Sequence, residues 1–122
     1  PGTWSWRNGT VVMSTDPLDA QSLMASAGED NTDAPRLPDG TVVGHIHLRV
    51  GNLADAEVFY RDALGLDVTC RYPGATFYAS GGYHHHLATN TWHSQHAPKR
   101  TGTTTGLASF ELIARDHGTF EA

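Results

Sequence analysis

Five of the eight histidines in this 122-residue chain fall in two short segments, Gly44-His45-Ile46-His47-Leu48 and Gly82-Tyr83-His84-His85-His86-Leu87. Neutral imidazole is the commonest protein ligand for transition metals, and two strands can aim such rings at one point. The two segments therefore predict a mononuclear metal site carried on β-strands. No equally plain third ligand stands beside them in the sequence.

The elements that must position these rings can be read from periodicity. Residues 42–50 alternate, with Ile46, Leu48 and Val50 on one face and His45, His47 and Arg49 on the other. Asn52 caps a helix with Asp55 and Glu57 near its start. Leu53, Ala56, Tyr60 and Ala63/Leu64 form its apolar stripe, and Gly65 stops it. Strands are expected over 66–72, 75–80 and 83–91, joined by Pro73-Gly74 and a Gly81-Gly82 hairpin turn. Strand alternation over 83–91 would send His85 one way and His84 and His86 the other, so that the three could not share one ion. The triple-histidine run is internal and flanked by apolar residues, unlike a purification tag. His86 is left a structural or interfacial role.

The first forty residues read as a linker arm, with a short strand over 10–13 and a helix over 17–27. That helix is capped by Thr15 or Asp16 and has Pro17 in its first turn. Residues 28–40, with Pro35, Pro38 and Asp39-Gly40, read as a loop. After the module at 41–92, residues 93–106 form a polar loop. Residues 107–114 alternate as a strand, and 115–122 lead toward a helix. The fold class is α+β: a linker arm (1–40), a complete β-α-β-β-β module (41–92) and the start of a second module (93–122).

Composition narrows the function further. The formal charge is −5, and no basic cluster exceeds Lys99-Arg100, which argues against nucleic acid or an anionic membrane as partner. No stretch reads as a membrane span or signal peptide. Cys70 is the only cysteine and reads as a small core residue. An intrachain disulfide is impossible, in keeping with a reducing cytoplasm.

Val43-Gly44-His45-Ile46-His47-Leu48-Arg49-Val50 with Phe59-Tyr60-Arg61-Asp62-Ala63-Leu64-Gly65-Leu66 resembles the opening of a vicinal oxygen chelate module. That superfamily holds glyoxalases, bleomycin resistance proteins and extradiol dioxygenases. Gly81-Gly82-Tyr83-His84-His85-His86-Leu87 with Asn90-Thr91-Trp92 resembles more narrowly the bacterial catechol extradiol dioxygenase-like branch. Trp4-Ser5-Trp6-Arg7-Asn8-Gly9 and Met13-Ser14-Thr15-Asp16-Pro17-Leu18-Asp19 resemble the linker between its two halves. The resemblance implies a four-module protein whose Fe(II) is held by two histidines and a glutamate, leaving positions for a catecholate and O2. Mn, Zn or Ni are the other candidate metals.

Carried over residue by residue, the resemblance makes His45 and His85 the metal ligands. His47, Asn90 and Trp92 become candidate substrate-binding residues. No catalytic acid or base is assigned. The resemblance places the family's glutamate on a strand of the fourth module, beyond the end of this chain. The third ligand would thus come from beyond Ala122, from Glu111, or from a partner chain. Ser109 stands where many relatives carry a histidine that assists proton transfer, and serine is a far weaker base. The implied function is metal-dependent ring cleavage of a small aromatic vicinal diol by a homo-oligomer. The alternatives are a non-catalytic binding protein of bleomycin-resistance type and a glyoxalase-type lyase or isomerase.

Overall fold

In the computed structural model, residues 4–14, 17–26, 37, 39–102 and 105–113 are described. The expected caps Thr15 and Asp16, most of the loop at 28–40 and the expected helix at 115–122 lie outside them. The protein is α+β. A hairpin of β1 (Trp6–Arg7) and β2 (Thr10–Val11) is followed by helix α1 (Ala20–Ser26). Then come β3 (Ile46–Arg49), helix α2 (Leu53–Glu57) with a π-helical continuation (Val58–Ala63), β4 (Asp67–Tyr72), β5 (Ala75–Ala79) and β6 (Leu87–Asn90). The last four strands form one sheet in the order β3-β6-β5-β4, with β3 parallel to β6 and the other pairs antiparallel. Among the described residues no helix is long and apolar enough to cross a membrane.

Register assigns the two faces of this sheet. Ile46, Leu87 and Tyr78 lie in one row, and the Tyr78 ring meets Tyr60 of the helical segment at 5.5 Å between centroids. The next row, His47-Ala88-Phe77-Cys70, faces the other way. Cys70, Ala75, Phe77 and Ala88 cluster there, with Met13 of the arm packed against them. Every residue of β5 and β6 is buried, because the helix covers one face while the arm and the histidine segments cover the other.

The helix begins as its sequence dictates. The Asn52 side chain accepts the N–H of Ala54 at 2.8 Å, and Gly65 leaves the helix at φ 70°. Its stripe is shorter than expected. Ala56 is buried and Leu53 and Tyr60 are half-buried, but Ala63 and Leu64 are exposed. The Leu64 N–H reaches back to Phe59, five residues earlier, and the wider π turn carries these two side chains off the stripe.

Five further expectations are corrected. The strand expected over 42–50 is paired only over Ile46–Arg49, because its partner β6 begins at Leu87, opposite Ile46. The strand expected over 83–91 is likewise only Leu87–Asn90. Gly81 and Gly82 do turn the chain at φ 68° and 75°, but within a longer connection that closes where His86 donates to the Tyr78 carbonyl. Residues 107–113 are exposed and form no strand, while Ala114 lies outside the described residues. Finally, α1 starts at Ala20 rather than 17, because Asp19 is the cap: its carboxylate accepts the Ser22 N–H at 2.9 Å.

The described start of the arm is a hairpin. Asn8-Gly9 takes positive φ at both positions, the turn that suits a two-residue hairpin, and Val11 is buried with β2 set against β4. The loop after β6 is tied to the end of β3. Ser94 Oγ donates to the Val50 carbonyl at 2.9 Å, and the His96 N–H to that of Gly51 at 2.8 Å.

A Cβ on Gly51 would press into the Ala97 carbonyl oxygen. Gly51→Ala should therefore cost about 1–3 kcal/mol of stability, read as a lower urea midpoint. Glu57 joins helix to sheet, accepting from Arg71 Nε at 3.1 Å and bonding Arg61 as well. The Arg71 hydrogen bond, outweighing partial burial, holds the Glu57 carboxyl below its usual range. The resulting stabilisation is present above the ordinary carboxylate pKa and is lost as pH falls through the lowered one. Urea midpoints of Glu57→Gln and wild type should differ at pH 7 and draw together as pH falls below the ordinary carboxylate range.

Candidate metal centre

The parallel pairing of β3 with β6 brings the two histidine segments together. Ile46 is opposite Leu87, so His45 and the run ending at His86 enter the sheet side by side. The Ile46 N–H donates to the His86 carbonyl at 3.1 Å and locks this junction. The bulge between Val68 and Cys70 releases Thr69 from the ladder. Its hydroxyl donates to the His84 carbonyl at 2.6 Å, which fixes the backbone of the histidine segment.

Four imidazoles converge. The His45 ring lies 4.4 Å from His85, 5.1 Å from His47 and 5.8 Å from His84 between centroids. One nitrogen from each of His45, His84 and His85 lies within 4.8 Å of the others. The expected alternation of 84–86 is corrected here. The segment is not a strand, so His84 and His85 both turn inward, each 4% exposed, and only His86 turns out. His86 Nε2 donates to the Ser80 carbonyl at 3.2 Å, and its ring stacks on Tyr83.

The electrostatics of the cluster favour neutral, ligand-ready rings. Burial, reinforced by repulsion from His45, His84, His47 and His86, pushes His85 down to about 3. Burial and then His45 lower His47; burial, His45 and His86 lower His84. His85 Nε2 meets His47 Nε2 at 3.3 Å, so one ring donates and the other accepts. The Nδ1 atoms of His84 and His85 are buried without a hydrogen-bond partner. Each such orphan costs about 1–3 kcal/mol. A cation bound by these nitrogens would relieve that cost, so the donor set fits a divalent metal.

Around the cluster, Phe77 forms an apolar floor, 5.0 Å from His85 and 6.0 Å from His47 between centroids. Asn90 is buried in register with Arg49, on the face that carries His47. A cavity of about 570 Å³ beside His47 and Arg49 is walled on its far side by Arg100, Leu107, Ser109 and Phe110. Trp92 stands apart on the Pro73-Gly74 turn, its indole N–H donating to the Pro73 carbonyl at 3.0 Å. Glu111 is exposed and outside the histidine group.

Two participants were missed in the sequence. His84 was assigned to the wrong side by strand alternation. Trp4, in the segment that resembles a linker, stacks its ring on His84 at 3.8 Å and 12°. The Asn8-Gly9 turn was the available signal that this tryptophan is folded back by a hairpin.

The chain is 39% identical over 114 residues to a protein of Bacillus subtilis (strain 168) named catechol-2,3-dioxygenase. The alignment covers 91% of this chain but 39% of that protein, so the chain spans well under half the length of the relative it matches. No solved structure matches. The relationship implies a divalent metal, and the cluster of His45, His84 and His85 can receive one. Residues 42–120, which include every histidine of the cluster, match a single family, and the chain belongs to it: the Glyoxalase/Bleomycin resistance protein/Dioxygenase superfamily.

Proposed function

We propose that this chain carries the metal-binding half of an extradiol dioxygenase-like activity, in which His45 and His85 hold Fe(II) and a small aromatic vicinal diol is cleaved with O2. The observation that carries this reading is the pairing of His45 with a buried, neutral His85 at the mouth of the β3–β6 junction. The name of the Bacillus subtilis relative supports this reaction class. When bound, the metal would supply a site at which a diol and O2 meet with open coordination positions.

The chain's own residues do the rest. His47 engages one nitrogen of His85 and so fixes its tautomer and ring plane. Phe77, beneath both rings, keeps water from that side. Arg49 and Asn90 sit on the open side of the same face, where an anionic oxygen of substrate would be met. The proposal includes a module boundary near residue 41, assembly of copies of the chain, and a cytoplasmic setting without nucleic-acid or membrane partners.

Ser109 favours one second reading. It lines the cavity wall, where its hydroxyl is no base at neutral pH, and no carboxylate belongs to the histidine group among the described residues. A protein that binds the small molecule without turnover would need neither. Metal content after anaerobic purification, together with oxygen uptake on catechol, separates the two. Near-stoichiometric iron with oxygen uptake, both lost in His85→Ala, is expected. Metal without oxygen uptake would move the assignment to the binding protein. Absence of metal after Fe(II) reconstitution would overturn both ligand assignments. His47→Ala should weaken metal binding by about 10–100-fold without abolishing it, as removal of an orienting partner does.

A further inference from the structure

We infer that the cavity beside His47 selects a diol whose ring carries a carboxylate, and that Arg49 and Arg100 are the groups that receive that carboxylate. The inference rests on the diol reading above and deepens it, because it names the class of diol.

Placement is the first observation. Arg49 follows His47 by two residues on the same face of β3, so its backbone lies about 6.6 Å farther along the strand from the histidines. Both residues line the cavity, and Arg100 lines it from the loop after β6. A diol held at its hydroxyl end near the histidines therefore turns its opposite end toward Arg49. The volume of about 570 Å³ falls within the range of about 300–1,000 Å³ that suits ligands larger than a bare catechol. Leu107 and Phe110 supply apolar surface for the ring.

Charge is the second observation. Arg61 and Arg71 are committed to Glu57 and Asp62. Among the described residues neither Arg49 nor Arg100 has an ion pair or a hydrogen bond, and no carboxylate lines the cavity. In a chain of formal charge −5, two uncompensated guanidiniums at one cavity reverse the local field. Each guanidinium presents a planar fork of donors that matches the two oxygens of a carboxylate.

The third observation concerns Gly106. A Cβ there would stand 3.0 Å from Arg100 Nη2 and 3.6 Å from Nη1. The bare backbone thus gives the guanidinium a seat in the cavity wall while its donors stay uncommitted.

The test titrates the purified chain, with one equivalent of Fe(II) under nitrogen, in a calorimeter. The probes are catechol, the dihydroxybenzoate with its carboxylate para to one hydroxyl, the amide of that acid, and benzoate. The acid and its amide have nearly the same size and differ in charge. The acid should bind at least about 10-fold more tightly than the amide or catechol. That ratio should fall toward one in Arg49→Gln and in Arg100→Gln. Equal affinity for acid and amide would overturn the inference and leave the diol reading standing. A preference for the acid that survives both substitutions would overturn it as well. Benzoate binding as tightly as the dihydroxy acid would remove the diol from both readings, and no binding of any probe would overturn both. Both arginines are exposed, so the substitutions leave the core intact, and the comparison of acid with amide needs no variant.

Discussion

Everything at the histidine cluster depends on one parallel strand pairing. His45 and His85 are far apart in sequence, and they meet because Ile46 is registered on Leu87. A parallel pair needs a crossover connection, and α2 with its π-helical continuation carries the chain from β3 across to β4 at the far edge, from which β5 and β6 return to it. Glu57 then ties the crossover back to the sheet through Arg71 on β4. The site is thus downstream of a global topology. A register slip of one residue would send His47 to the helix side and break the cluster before any change in its chemistry.

The two faces of the sheet divide the labour. The helix side is filled by Tyr60, Tyr78, Leu87 and the Tyr78–Thr89 hydroxyl pair, and it contributes stability. The other side begins as a conventional core at Cys70, Ala75, Phe77 and Ala88 and passes without a break into imidazoles. That continuity explains why the pKa values of His47, His84 and His85 are lowered. Phe77 and its neighbours lower the local polarity, and the crowding of like rings adds mutual repulsion.

Much of this was legible in the sequence. The two histidine segments, the Asn52 cap, the Gly65 stop and the alternation through Ile46 and Leu48 are local signals, and local physics decides them. The errors arose where a neighbour decided. Residues 83–86 have the composition of a strand, but Thr69 captures the His84 carbonyl and the ladder resumes only at Leu87. Residues 107–113 alternate convincingly yet form no strand, because alternation supplies a face and not a partner. Trp4 could not be placed beside His84 from spacing at all. That contact depends on how the hairpin of β1 and β2 docks on β4.

The bulge at Thr69 has an evolutionary side. A side chain there can drift among residues able to hydrogen-bond the His84 carbonyl, and the lineage loses little. Loss or gain of a single codon in β4 is a different event. It would erase or double the bulge, turn the hydroxyl to the opposite face and release a segment fifteen residues downstream. Substitution and frame-preserving deletion therefore carry unequal structural risks along this strand.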